Sequence, residues 1–398
     1  MVIEDVRYRI VFDSRGRETV ECEVESEGFV ARASAPSGAS TGSEEAVVVS
    51  PRRYKEIEEK VSKALIGMSV FDQEGVDKAL RDLDGTENFS NIGGNFAVSA
   101  SIAVAKCASE ILNIPLCAYL GGAFAREIPF PLGNVIGGGK HAEGSTSIQE
   151  FLVIPVGAKS FLEAQRTNSE VHRQVREEMK LRKIFCAKGD EGAWAAQISD
   201  EMAFEILKKA IEKVEKETGI EIRMGIDLAG SELWDGNKYV YSDKKLSREE
   251  QIAYVAELIE KYDLLYVEDP FHENDFESFA ELTKIADCMI CGDDLFVTNA
   301  KRLKRGIELK AGNTLLVKPN QVGTLTDTFN AVKLAKENGY RIVVSHRSGE
   351  TEDNYISHLS VAFNAKLIKT GVVGGERISK LNEMIRIEEM LNARMVRI

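Results

Sequence analysis

The second half of the chain constrains the fold most. From about residue 220 onward, short apolar stretches alternate with amphipathic ones, six times over. The pattern predicts strands at Arg223–Leu228, Leu264–Val267, Met289–Gly292, Thr314–Val317, Arg341–Val344 and Leu367–Ile368. Helices are predicted at Ser247–Tyr262, Phe276–Ile285, Asn299–Gly306, Leu325–Asn338, Asn354–Asn364 and Ile378–Leu391. Ser247 followed by Glu250 has the spacing of a capping box. Such repeats demand a parallel sheet, because each helix returns the chain to the edge where the next strand begins. Six units, with room for earlier ones between residues 130 and 220, predict an α/β chain ending in a closed (β/α)8-type barrel. A doubly wound open sheet is the alternative.

The N-terminal stretch has a different rhythm. Val20, Cys22 and Val24 alternate with Glu21, Glu23 and Glu25, the period of a half-buried strand. Neighbouring strands are predicted at Tyr8–Phe12 and Phe29–Ala33. Helices follow at Tyr54–Leu65, charged and amphipathic, and at Ala97–Leu112, rich in small apolar residues and therefore buried. An α+β capping domain over residues 1–125 and a barrel over 126–398 are the simplest division.

Each of the six C-terminal strands ends in an ionisable residue: Asp227, Glu268, Asp293, Lys318, His346 and Lys369. One such residue is commonly a solvated loop charge. Six in register are not, because a parallel barrel gathers all its strand ends at one mouth, where barrel enzymes place their chemistry. Three carboxylates from different strands are hard oxygen ligands that suit Mg²⁺. The absence of a Cys/His cluster among them argues against zinc. A lysine beside cations has its charged form disfavoured and can serve as a base. Metal plus lysine base is an arrangement for removing a proton α to a carboxylate.

Composition limits the partners. With 51 basic and 64 acidic residues the net charge is −13. That disfavours general binding to nucleic acid or anionic membrane, both polyanions, but leaves a small phosphorylated substrate open. No apolar run approaches the roughly 20 residues of a membrane span. Residues 1–15 alternate charge and apolar character, unlike a secretory leader, so the expected compartment is the cytoplasm. The close pair Cys288 and Cys291 lies in an apolar strand-like run and is expected to be two buried thiols rather than a redox or zinc motif.

Motifs along nearly the whole chain resemble the enolase (phosphopyruvate hydratase) family. They are Asp13-Ser14-Arg15-Gly16, Pro36-Ser37-Gly38-Ala39-Ser40-Thr41-Gly42, Leu83-Asp84-Gly85-Thr86, Gly138-Gly139-Lys140-His141-Ala142, Gln149-Glu150-Phe151 and Gly189-Asp190-Glu191-Gly192. The barrel adds Val267-Glu268-Asp269-Pro270-Phe271, Asp293-Asp294-Leu295, Leu316-Val317-Lys318 with Asn320-Gln321, Ser345-His346-Arg347-Ser348-Gly349-Glu350-Thr351 and Ile368-Lys369-Thr370-Gly371. The resemblance implies reversible dehydration of 2-phosphoglycerate to phosphoenolpyruvate, in glycolysis and gluconeogenesis. A lysine base with Mg²⁺ is general to that superfamily and not particular to this chain. By similarity, Asp227, Glu268 and Asp293 hold one Mg²⁺, and Ser40 joins a second that arrives with substrate. Lys318 is the base, Glu191 the acid, Glu150 its support and Gln149 its neighbour. Lys369 takes the substrate carboxylate, Arg347 and Ser348 the phosphate, and His141 closes over the substrate. Glu268 and Asp293 also face the substrate. A neutral Lys318 and a protonated Glu191 are what the chemistry requires. The family further implies a homodimer or an assembly of dimers.

Departures from the family pattern fit a divergent, archaeal-type member. Glu143 follows Ala142 where the pattern has glycine and asparagine. Gly374-Gly375 stand where an Arg-Ser pair is usual before Glu376-Arg377. Ala193 replaces a second glycine after the acid. Two other functions remain open at this point: dehydration of another hydroxy acid, and a binding protein that has lost its chemistry. His172, His272 and His358 match no motif, and His172, in a charged helical stretch, is expected to be solvated. Trp194 and Trp234 are expected to pack.

Overall fold

The computed structural model describes residues 1–38, 42–142 and 144–398. Ser40 and Glu143 lie outside these residues. The chain begins with an antiparallel meander of β1 (Asp5–Phe12), β2 (Glu18–Ser26) and β3 (Phe29–Ser34). Val20, Cys22 and Val24 point into the core, as their period requires. Glu23 on the other face is held by Arg9 and Arg32. Four helices follow: α1 (Tyr54–Leu65), α2 (Gln73–Asp84), α3 (Gly94–Ile111) and α4 (Leu116–Gly121). α3 packs on β2 and β3 and is buried almost all round. Its alanines and serines allow that close approach.

The rest of the chain runs β4 (Glu127–Ile128), β5 (Phe130–Gly137), β6 (Glu150–Ile154), α5 (Phe161–Leu181), β7 (Ala187–Lys188), β8 (Trp194–Ala195), α6 (Asp200–Thr218), β9 (Arg223–Asp227), α7 (Gly230–Leu233), β10 (Tyr239–Val240) and β11 (Lys245–Leu246). It continues through α8 (Arg248–Tyr262), β12 (Leu264–Glu268), α9 (Phe276–Ile285), β13 (Met289–Gly292), α10 (Ala300–Leu309), β14 (Thr314–Val317), α11 (Leu325–Glu337), β15 (Arg341–Ser345), α12 (Tyr355–Ala362), β16 (Leu367–Lys369), α13 (Gly375–Leu391) and β17 (Arg394–Met395). The capping box at Ser247 and Glu250 forms as its spacing predicts.

Among the described residues, eight strands close in the order β5-β6-β9-β12-β13-β14-β15-β16, with β16 pairing back onto β5. Closure removes the open-sheet alternative. The region before residue 220 departs from the predicted repeat. β6 runs antiparallel to both its neighbours, β5 and β9, and α5 and α6 then follow with only a short hairpin, β7–β8, between them. The short link between β5 and β6 carries no crossover helix, so the two strands pair as a hairpin does. The reversal has a consequence for the site. Seven strands bring their C-terminal ends to the mouth, whereas β6 brings its first residue, Glu150, which sits opposite Gly137 and Asp227 in register.

The barrel interior is filled by side chains such as Leu132, Leu152, Tyr266, Met289, Leu316 and Val343. It is a packed core rather than a channel. Cys288 and Cys291 are free and buried. No helix among the described residues is long and apolar enough to cross a membrane.

Candidate active site

Every predicted site residue within the described residues lines one concavity at the barrel mouth. Its walls carry His141, Gln149, Glu150, Glu191, Asp227, Glu268, Asp293, Lys318, Arg347, Ser348 and Lys369, with His346 and Gly38 beside them. Ser40 lies outside the described residues.

The strand ends supply the floor. Lys369, at the end of β16, reaches across the barrel, its Nζ 3.1 Å from Asp227 Oδ2, 2.8 Å from Glu268 Oε2 and 3.2 Å from Glu150 Oε2. Tyr266, two residues before Glu268 and on the same inward face of β12, donates its hydroxyl to Glu268 Oε2 at 2.5 Å. Lys318 donates to Asp293 Oδ2, and Gln321 donates to Asp293 Oδ1 at 2.9 Å. Asp269, at a left-handed φ of 39°, accepts from the backbone N–H of Asp293 at 2.9 Å and of Asp294 at 2.7 Å. A non-glycine residue is rare in that conformation. The strain at Asp269 accompanies a fixed course for the segment that presents Asp293.

Charge balance follows from these contacts. Burial opposes the charged form of Lys369, but Asp227, Glu150 and Glu268 overcome it and hold the ammonium well above its usual range. Lys318 is likewise raised, against burial, by Asp293. Burial and the Asp227 charge push Glu268 well up. Asp294 rises to about 8 through burial and the Asp293 charge.

These carboxylates fit a hard divalent cation. Asp227, Glu268 and Asp293 offer oxygen donors only, and no thiol or imidazole stands among them. Among the described residues, the ligand atoms drawn within 4.8 Å of one another are those of Asp269, Asp293 and Asp294, and separately those of His141, Glu150 and Glu191. Asp227 and Glu268 are joined instead through the Lys369 ammonium.

The opposite wall is a proton-handling cluster. Glu191 sits at the tip of the β7–β8 hairpin, which β8 attaches to β5. Gly192 closes the turn at φ 80°, where a Cβ would stand 2.4 Å from the Val373 carbonyl. Only glycine fits there. The Glu191 carboxylate lies 3.4 Å from His346 Nε2 and 3.8 Å from His141 Nε2. It accepts from Asn134 Nδ2 at 3.2 Å. Glu150 lies 3.3 Å from His141 Nδ1. Burial raises Glu191, but His141, His346 and Arg377 outweigh it and hold the group well below its usual range. Burial and the Glu191 charge raise Glu150. His141 is lifted to about 9, against burial, by Glu191 and Glu150. Burial lowers His346 to about 4.

In the chain without bound cations, the direct Asp293 contact favours the charged form of Lys318, and His141, His346 and Arg377 favour the ionised form of Glu191.

The N-terminal segment roofs the site. Ser37 and Gly349 exchange backbone hydrogen bonds of 2.8 Å each. Asp13 accepts from the Ser37 hydroxyl at 2.7 Å, and Arg15 donates to the same hydroxyl at 3.0 Å. Arg347 is gripped by Glu45, Nη1 to Oε2 at 2.9 Å and Nη2 to Oε1 at 3.1 Å, and also donates to Asn320 Oδ1 at 3.1 Å. Gly42 N donates to the same Glu45 carboxylate at 3.1 Å.

His172 is not solvated. It is buried on the inner face of α5 with Val171 and Val175. Its Nε2 lies 2.9 Å from the Gly192 carbonyl. Its ring stacks on Trp194, which donates Nε1–H to the His172 carbonyl at 2.8 Å. The pair braces the hairpin that carries Glu191. Trp194 packs as expected.

Burial pushes the His172 imidazole down to about 4 from an ordinary 6.5. Unfolded chains take up that proton near pH 6.5, folded chains only near pH 4. The stabilising contribution is thus complete above pH 6.5 and is lost as pH falls toward 4. Wild type should lose roughly 2 kcal/mol more than His172→Gln between pH 7 and pH 5. Urea unfolding at the two pH values checks this; equal losses would contradict it.

Glu45, Asn134, Asp269, Gln321 and Arg377 were not assigned roles from sequence. Glu45 lies three residues beyond the Pro36–Gly42 motif, and that proximity was its only signal. Asn134 and Arg377 meet the site through long-range packing that no local pattern encodes.

A closed barrel with carboxylates, lysines and a Glu–His cluster at its mouth defines a class, the β/α-barrel proteins built for acid–base chemistry on a small molecule. The family follows from comparison. Residues 3–120 match the model "Enolase, N-terminal domain" and residues 125–396 the model "Enolase, C-terminal TIM barrel domain". The chain is 72% identical over 399 residues to a protein named enolase from Archaeoglobus fulgidus, with full coverage of both. It is 53% identical to an enolase from Methanosphaera stadtmanae, covering 98% of this chain and 97% of that one. It is 54% identical to one from Natronomonas pharaonis, covering 97% and 99%. The chain belongs to the enolase family.

Proposed function

We infer that the chain is a Mg²⁺-dependent enolase, a carbon–oxygen lyase interconverting 2-phosphoglycerate and phosphoenolpyruvate in glycolysis and gluconeogenesis. The observation that carries this is the convergence of Lys318, Glu191, Lys369 and Arg347 on one cavity with the three strand-end carboxylates.

Lys318 takes the C2 proton. With cations and substrate bound, Glu191 in its protonated form delivers that proton to the departing 3-hydroxyl, supported by Glu150, with Gln149 alongside. Lys318 follows β14, and Glu191 stands on the hairpin beside β5, three strands further round the barrel. That separation suits an elimination in which base and acid act on neighbouring carbons from different sides. Lys369 pairs with the substrate carboxylate, and Glu268 and Asp293 face the same molecule. His141 covers it from its short turn after β5.

Asp227, Glu268 and Asp293 would hold the first Mg²⁺, and Ser40 would contribute to the second. Divalent cations bound there would supply positive charge that stabilises the extra negative charge left by loss of the C2 proton and opposes protonation of Lys318. Together with Lys318, Lys369 and Arg347 they make the cleft locally positive within a chain of net charge −13.

Arg347 and Ser348 bind the phosphate, which competes with Glu45 for the guanidinium. A planar fork matches phosphate oxygens in a way an ammonium does not. Arg347→Lys should therefore raise KM for 2-phosphoglycerate roughly 10-fold or more with a smaller change in kcat. Steady-state kinetics check this, and an unchanged KM would remove Arg347 from the phosphate site.

Residues 1–125 form the capping domain and 126–398 the barrel domain. The protein acts in the cytoplasm as a homodimer or an assembly of dimers, with no nucleic acid or membrane partner. Appearance of phosphoenolpyruvate from 2-phosphoglycerate, followed by ultraviolet absorbance with and without Mg²⁺, tests the function. No Mg²⁺-dependent product from the intact protein would overturn it.

A further inference from the structure

Arg377 is a fully buried arginine on the first turn of α13. Its Nη1 lies 2.8 Å from His346 Nδ1 and donates to the Arg347 carbonyl at 2.6 Å. Its Nη2 donates to the Ser348 carbonyl at 2.8 Å and to the Asp190 carbonyl at 3.4 Å. The nearby carboxylate is that of Glu376, 3.3 Å from Nε. One guanidinium thus fixes three consecutive residues beyond β15 and touches the backbone next to Glu191.

A guanidinium has five donors and no acceptor. At 2.8 Å, His346 Nδ1 must therefore present its lone pair, and the ring proton must reside on Nε2. Nε2 is buried without a hydrogen-bond partner and lies 3.4 Å from Glu191 Oε2. Catalytic contacts are often long in a free enzyme and tighten when substrate binds.

We propose that Arg377 is a positioning residue that locks His346 in the Nε2–H tautomer, so that the ring N–H faces the Glu191 carboxylate, while its remaining donors hold the Arg347 and Ser348 backbone. This rests on Glu191 being the acid. Gly374, just before α13, has φ 116°, a backbone conformation that favours glycine.

Lys380, one turn on, offers an internal control. It donates to the Thr351 carbonyl at 2.6 Å and pairs with Glu350 at 3.0 Å. It braces the same loop without touching His346. A variant at Lys380 therefore separates loop support from control of the tautomer.

The test is ¹⁵N NMR of the five ring systems in histidine-labelled, Mg²⁺-loaded protein, with His346 assigned by His346→Asn. Wild type should show His346 as the Nε2–H tautomer. Arg377→Lys and Arg377→Leu should show Nδ1–H or a tautomer mixture, with kcat reduced roughly 10- to 100-fold. Lys380→Met should keep the wild-type tautomer. A wild-type His346 protonated on Nδ1, or folded Arg377 variants with an unchanged tautomer, would overturn the proposal. Where the Arg377 variants do not fold, the wild-type spectrum alone decides. The two claims fail separately. Wild type that forms no phosphoenolpyruvate overturns the proposed activity and leaves the ring signature readable. Active wild type with the Nδ1–H tautomer overturns only the role of Arg377.

Discussion

Replacing Lys318 with alanine is expected to reduce turnover of 2-phosphoglycerate by roughly 10³- to 10⁴-fold with little change in KM. The C2 proton is very weakly acidic because its removal adds charge to a molecule already anionic, so losing the positioned base removes a contribution made only in the transition state. A second sign separates a base from a structural lysine. Lys318 now neutralises Asp293 through a direct hydrogen bond. Its loss leaves that carboxylate without its ammonium partner, so divalent cation affinity should rise, not fall. Calorimetric titration of Mg²⁺ into the variant measures this. A fall in both turnover and Mg²⁺ affinity would instead mark Lys318 as a support for the fold.

Removing divalent cations with a chelator should have an effect of similar or larger size, at least about 10³-fold on turnover, reversed by Mg²⁺. The cause lies in the charge count at the mouth. Asp227, Glu268, Asp293, Glu150 and Glu191 crowd one cavity, and burial with the Asp227 charge already pushes Glu268 well up. Lys318, Lys369 and Arg347 offset these carboxylates but leave little positive charge for an anionic substrate. Mg²⁺ at a hundredfold excess over its Kd should also stabilise the folded chain by about 2.7 kcal/mol. Thermal unfolding measures that shift. Full turnover in chelator would remove the metal from the mechanism.

Much of this architecture was legible in the sequence for local reasons. Met289–Gly292, Thr314–Val317 and Phe276–Ile285 form as their periodicity predicts, because short buried strands and capped helices carry their own punctuation. The ring of strand-end residues was legible too, since parallel topology alone brings Asp227, Glu268, Asp293, Lys318, His346 and Lys369 to one mouth.

The reversal of β6 was not legible, because Glu150–Ile154 is an apolar run whose direction depends on its partners. α2 went unseen: its buried apolar positions are only Val76 and Leu80, and Asp77 and Asp84 are buried beside them. His172 was misread from its charged neighbours, although Asn168, Val171, Val175 and Met179 share its buried helical face. Protonation states were furthest from the sequence. They depend on contacts such as Lys318 with Asp293 and His346 with Arg377, between residues far apart in the chain.

The central claim is that Lys318 removes the C2 proton in this cavity. Proton NMR of 2-phosphoglycerate in deuterated water, with Mg²⁺-loaded protein, tests it most directly. The account predicts exchange of the C2 proton with solvent in wild type and in Glu191→Gln, and none in Lys318→Ala. Continued exchange in a folded, Mg²⁺-binding Lys318→Ala variant would contradict it.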